Sequence, residues 1–241
     1  KTALRLRLEA LIAERAETPL ILRYVDFERL LTHSLSPSLY EHIDELIRLG
    51  TIEILGHWHT NQEAYERLEF DEKCELAGLV YEYWHNLPPA TKRRYVQELS
   101  PLSGRATQIA KAGGRTLVSI YNNLLSIFKN EKIQPTSWKD ESTEAITQGA
   151  YSRLERFWYL AQSLGIQSLW VMVDSVDEAG EIRNAEQIFD FLKSLILHQR
   201  VFEFRQNNIQ RICFKVFLTK PTEMEPFLDK AEFRRDRVNV V

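Results

Sequence analysis

Three carboxylates, Asp174, Asp177 and Glu178, follow directly on the apolar run Ser168-Leu169-Trp170-Val171-Met172-Val173. Acids grouped this tightly could hold Mg²⁺, directly or through its waters, and leave one carboxylate to polarise an attacking water. Asp174 is the candidate metal ligand; Glu178, with Asp177 beside it, is the candidate for the water. The element that must position them is a buried strand. Five successive apolar residues without polar alternation suit a parallel strand covered on both faces, and such sheets bind ligands beyond the carboxyl ends of their strands. A core strand running into an acidic, solvated turn is the plainer alternative.

A second candidate lies at the start of the chain. Lys1-Thr2 runs straight into residues 3–13, whose strong helix formers and apolar spacing predict a helix. A phosphate-binding loop ends in these residue types: its lysine reaches the β and γ phosphates, its hydroxyl binds Mg²⁺, and the following helix offers amide donors and a favourable dipole. Thr2 is therefore a second candidate metal ligand, and the chain is expected to begin inside such a loop, as a fragment or processed product would.

The remaining elements alternate. Thr18-Pro19 breaks the first helix, and residues 20–26 read as a strand. Residues 37–148 change character, with helical stretches over 39–49, 61–86, 89–99 and 116–132. A helix over 150–164 leads through Gly165 into the acidic strand, and an amphipathic helix spans 184–200. Residues 212–218 form a further apolar strand, 221–232 a short helix and 237–241 the start of another strand. Strands alternating with helices at both ends predict an α/β class with a parallel sheet and a large helical insertion. The corresponding domains are 1–36 and 149–241 for the two parts of the core and 37–148 for the helical subdomain.

With 241 residues and 44% hydrophobic content the chain can bury a full core. Its net charge of -3 creates no overall pull towards nucleic acid or anionic membrane. Charge is sorted locally: between positions 41 and 90 eleven acids face three Lys or Arg, and between 91 and 132 eight Lys or Arg face two acids. The basic part includes Lys92, Arg93, Arg94, Arg105, Lys111 and Arg115 around Gly113-Gly114. Such a patch, residues 92–115, would meet nucleic-acid phosphates or the acidic part of a neighbouring subunit; a solvated helical surface is the alternative. Cys74 and Cys213 form no CxxC pair, which argues against a disulfide framework or cysteine zinc site and fits a cytoplasmic setting. No apolar run reaches the length of a membrane span, and no signal-peptide pattern is present.

Other candidates are weaker. His57-Trp58-His59 offers two imidazoles, but a zinc site wants three or four ligands, and His-x-His on a strand or loop is usually incidental. Tyr81, Tyr83, Trp84, Phe128 and Trp138 fit packing better than base stacking. No GxSxG or other nucleophile motif occurs.

The segment Val173-Asp174-Ser175-Val176-Asp177-Glu178, together with the Lys1-Thr2 helix start, resembles the Walker B and Walker A elements of P-loop NTPases of the additional-strand group. Within that group it is similar to the STAND class with its NACHT-like members. The resemblance implies a three-layer αβα core, ATP and Mg²⁺ as cofactors, Mg²⁺ at Asp174, and water activation or nucleotide sensing at Asp177 and Glu178. Phe214-Lys215-Val216-Phe217-Leu218-Thr219-Lys220-Pro221 resembles the sensor 1 strand, which would place Thr219 and Lys220 near the γ phosphate. Lys220 departs from the family pattern by following Thr219 immediately. Arg234 and Arg235 occupy the place where AAA+ relatives carry an arginine finger, a guanidinium that stabilises charge on the transferring phosphoryl group of a neighbour; a basic helix end is the alternative there. The implied function is an ATP-binding, slowly hydrolysing regulatory module of a signalling or defence protein, whose nucleotide state controls homo-oligomerisation or an attached effector. An AAA+ ATPase assembling on DNA, as an initiator or transposition regulator does, is the second reading. A non-hydrolysing scaffold is the third.

Overall fold

The apolar run 169–173 forms the centre of a parallel sheet. The computed structural model describes residues 2–15, 18–85, 115–138, 146–198, 202, 205–206 and 209–217. These divide into two compact units: unit 1 comprises residues 1–46, 145–151 and 168–241, and unit 2 comprises 47–144 and 152–167. Residues 37–46, grouped by sequence with the helical subdomain, thus belong to unit 1, and residues 152–167 belong to unit 2.

In unit 1, helix α1 (Thr2–Arg15) precedes strand β1 (Pro19–Tyr24), and β2 (Ser168–Val173) pairs with it in parallel, Pro19 beside Ser168 through Tyr24 beside Val173. On its other side β2 pairs in parallel with a later strand, Ile212–Val216, with Leu169 beside Ile212 and Val173 beside Val216. The acidic strand is therefore central. A parallel strand with neighbours on both sides needs apolar side chains on both faces, and β1 and β2 share one burial pattern that becomes fully buried at their carboxyl ends. A two-residue hairpin of β3 (Arg205–Gln206) and β4 (Ile209–Gln210) lies just before the third sheet strand, which is numbered β5.

Side chains alternate across the sheet, so Ile21, Arg23, Trp170, Met172 and Asp174 share one face. Helix α1 covers that face: Ile12 packs with Met172 and Phe217, while Leu8, Ile21 and Trp170 close around them. Its buried stripe, Arg5, Glu9 and Ile12, follows helical spacing. Arg5 near the amino end reaches Asp174 at the end of β2, whereas Ile12 meets Met172 deeper in the sheet. The helix thus runs antiparallel to the strands, with its amino end at their carboxyl edge.

The opposite face carries Leu22, Tyr24, Val171 and Val173, all fully buried. Against it lie Phe27, which precedes the short helix α2 (Glu28–Leu31), and His42 in the first part of α3 (Leu39–Thr60). A further helix, Ala185–Leu197, adds Phe191, whose ring stands edge-on to both Phe27 and His42 about 5.0 Å away. Asn184 caps that helix by accepting the Gln187 N–H at 2.9 Å, and the Gln187 side chain reaches back to the Arg183 N–H at 2.7 Å. Among the described residues, unit 1 is a mixed α/β body with helices on both faces of a three-stranded parallel sheet, compatible with an αβα core.

Unit 2 is helical. It contains the rest of α3, α4 (Gln62–Glu66), α5 (Phe70–Val80) continuing into a π-helical turn Tyr81–His85, α6 (Arg115–Asn130), and α7 (Ile146–Ser163) from Ser152 onward. By chain order Ala185–Leu197 is α8. Two glycines permit close approaches: a Cβ on Gly50 would collide with the Phe157 ring, and one on Gly78 with the Thr136 carbonyl oxygen. Trp138 is buried, donates its indole N–H to the Glu75 carbonyl at 2.9 Å, and has the Arg156 guanidinium 4.3 Å from its ring centre. The sequence places one helix over 39–49 and another over 61–86; the first extends to Thr60, and the second is divided among α4, α5 and the π turn. Among the described residues no helix is long and apolar enough to cross a membrane.

Candidate functional site

Asp174 is fully buried where β2 ends. Its backbone N–H donates to the Tyr24 carbonyl at 3.2 Å, carrying the ladder one residue past the strand. Ser175 then adopts a left-handed conformation (φ 65°, ψ 22°), which turns the chain sharply into a single 3₁₀ turn, Val176–Glu178. The carboxylate faces α1. Oδ1 accepts the Ser175 N–H at 2.8 Å, and Oδ2 accepts the Arg5 Nε–H at 2.8 Å.

Arg5 does not stop at Asp174. Its Nη1 donates to Glu9 Oε1, one helical turn along, and Glu9 Oε2 accepts the Arg23 Nε–H at 3.0 Å. The result is a chain of alternating charge, Asp174, Arg5, Glu9, Arg23, with no member more than 9% exposed. Two guanidinium groups balance two carboxylates, which is the condition under which buried ions are tolerated. Arginine suits this place because its planar fork donates in two directions at once, here to acids on two different elements.

This geometry bears on a metal. Magnesium demands near-octahedral coordination and keeps several waters, so a carboxylate holding it needs open space on one side. Asp174 has no exposed surface, both of its oxygens already accept hydrogen bonds, and the cation seated against it is the Arg5 guanidinium. As arranged, Asp174 does not fit Mg²⁺. Among the described residues no group of three or more His, Cys, Asp or Glu side chains is placed to hold a metal ion.

The other expected site residues fall in different places. Thr2 opens α1 and is exposed, at the amino end that lies towards the carboxyl edge of the sheet. Asp177 is half-buried and Glu178 exposed on the 3₁₀ turn, where the Glu178 N–H donates to the Ser175 carbonyl at 3.0 Å. Lys1, Thr219, Lys220, Arg234 and Arg235 lie outside the described residues, as do positions 92–114 of the basic patch; Arg115 begins α6. His57 and His59 sit on α3, neither on a strand nor in a loop, and the His57 Nε2 is 3.0 Å from the Leu164 carbonyl. Residues two apart on a helix point to different sides, so the pair does not converge on one ion.

The same end of the sheet carries a neutral device on its other face. Tyr24 donates its hydroxyl proton to His42 Nδ1 at 2.7 Å, and His42 Nε2–H donates to the Phe191 carbonyl at 2.9 Å. A carbonyl only accepts, so the tautomer is set by Phe191. Burial pushes the imidazole pKa down to about 4, against the Phe191 hydrogen bond and the Glu41 charge that favour the proton. His42 is neutral at physiological pH.

Sequence reasoning missed Arg5, Glu9, Arg23, Tyr24 and His42. Two signals were available: Arg5 and Glu9 stand four apart on one helix face, and Arg23 interrupts an apolar strand. Neither signal names a partner, because the contacts join α1, β1 and β2 across up to 169 positions.

A groove of about 310 Å³ in unit 2 is lined by Glu72, Glu75, Glu155, Arg156, Tyr159 and Ser163, among others. Its acids are engaged within the groove: Glu75 with Arg156 at 2.6 Å, Glu72 with the Ser163 hydroxyl at 2.5 Å, Glu155 with the Tyr159 hydroxyl at 3.3 Å. The Glu155 charge raises the Tyr159 pKa, which disfavours the phenolate. No family model, curated protein or solved structure matches the chain.

Proposed function

We propose that the chain is the α/β core of a nucleotide-responsive regulatory ATPase of P-loop type, similar to STAND proteins. One observation carries this reading: the amino end of α1 and the acid ending the central strand meet at the carboxyl edge of a parallel sheet, joined by the Arg5 to Asp174 bond. Ligands of open α/β sheets bind at that edge, and helix amino ends favour anionic phosphate. Lys1 and Thr2 would meet the phosphates, Thr219 and Lys220 would sense the γ position, and Arg234 or Arg235 would reach a neighbouring protomer's nucleotide. Glu178, exposed just beyond Asp174, is the side chain assigned to orient a hydrolytic water, with Asp177 beside it.

Binding of a fluorescent ATP analogue, followed by anisotropy and by thermal melting, tests the reading. Saturable binding and a raised melting temperature are expected; absence of both sinks it. Glu178→Gln is expected to keep binding and lose turnover, and unchanged turnover would remove Glu178 from the mechanism.

A further inference from the structure

We infer that Arg5 is the resident cation of Asp174, a guanidinium latch that any divalent cation must displace before this acid can serve it. The inference rests on the nucleotide reading for the identity of the cation and on the geometry for everything else. Arg5 Nε lies 2.8 Å from Asp174 Oδ2, and the same side chain is tied through Nη1 to Glu9, itself 3.0 Å from Arg23 Nε. Each end of Arg5 therefore has its own buried carboxylate. A cation arriving at Asp174 would have to expel a positive charge that α1 holds in place, and would leave Glu9 and Arg23 to reorganise.

The network also sets the consequence of release. With the Arg5 charge removed, the chain of charges described here keeps two carboxylates, Asp174 and Glu9, and one guanidinium, an excess negative charge in a buried setting. Such a site attracts a hard divalent cation. Arg5 is thus a positioning residue: it holds the Asp174 carboxylate against α1, the helix whose amino end faces the same edge.

The test uses Mn²⁺ alone, without nucleotide, read by the electron paramagnetic resonance signal of the free ion. The wild-type chain is expected to bind no Mn²⁺ through Asp174 below millimolar concentration. Arg5→Gln should tighten Mn²⁺ binding on the order of tenfold or more, the effect of removing one fixed positive charge at hydrogen-bonding distance. The gained site should vanish in the Arg5→Gln, Asp174→Asn double variant and be absent from Arg5→Lys, which keeps the charge. Wild-type binding through Asp174 as tight as that of Arg5→Gln overturns the latch, as does a folded Arg5→Gln protein that gains no site.

Should Arg5→Gln fail to fold, the wild-type protein decides. The Nε–H resonance of Arg5, followed by ¹⁵N NMR, is expected to persist unchanged in millimolar Mg²⁺. Its loss at micromolar Mg²⁺ overturns the latch. The two readings fail separately: a gained Mn²⁺ site with no ATP binding keeps the latch and removes the nucleotide, and ATP binding with unchanged Mn²⁺ affinity does the reverse.

Discussion

The two faces of the sheet in unit 1 solve one problem in opposite ways. Arg23 and Tyr24 are successive residues of β1, so their side chains leave on opposite faces, and each places a polar group in the interior. On the α1 face the solution is ionic, with charges alternating along Asp174, Arg5, Glu9 and Arg23. On the other face it is neutral, with His42 held uncharged between a hydroxyl and a carbonyl. The ionic face binds its elements through charges that could be exchanged for a ligand's. The relay from Tyr24 through His42 to Phe191 has no charge to exchange. Asp174 projects to the first face and its neighbour Val173 to the second, so a ligand at the strand end would meet the exchangeable side.

Removing one member of the ionic chain breaks the contrast most severely. Glu9→Met removes the acid that both Arg5 and Arg23 contact and is expected to cost about 3–5 kcal/mol in urea unfolding, because two buried guanidinium groups lose that counter-charge. A loss below about 1 kcal/mol would show that the chain of charges is not closed in solution.

Acid sharpens the contrast. His42 titrates near 6.5 when unfolded and near 4 when folded, so the folded state is the poorer proton binder. Its contribution is intact above about pH 6.5 and is lost progressively as pH falls towards 4, by up to about 3 kcal/mol. Urea midpoints measured across that window should fall more steeply for wild type than for His42→Gln. Equal slopes would place the imidazole in water.

A smaller effect follows from Tyr24→Phe, which leaves the buried His42 Nδ1 without its donor and is expected to cost about 1–2 kcal/mol. It should also flatten none of the His42 pH dependence, since burial is the main cause of the lowered pKa. As a reference, Arg67→Ala removes an exposed pair with Glu63, whose side chains are 76% and 80% exposed. No measurable change in the urea midpoint is expected there.

Much of the fold was legible because it depends on local pattern. The uninterrupted apolar run 169–173 announced a strand buried on both faces, and β2 is that strand, paired on both sides. The strand now bounded at Pro19–Tyr24 and the helices at α1 and α8 followed from breakers and spacing in the same way. Helix lengths in the middle were less legible: nothing local stops α3 at residue 49, and at Gly50 the Phe157 ring packs where a side chain would stand. Asp174 was legible as an acid at a strand end. Its partner was not, since a carboxylate reads identically in sequence whether it faces water, a metal or an arginine.

The sequence by itself determined which residues carry charge, where the apolar runs lie, and that strands and helices alternate, because each of these rests on neighbours within one helical turn or one strand. The tertiary structure decided that α1 lies over the acidic strand, that the Arg5 guanidinium is seated against Asp174, and that His42 is neutral. Those outcomes depend on burial and on charges brought together from distant positions. Electrostatic energy depends on distance in space and on the dielectric around the groups, and neither is written in the order of residues.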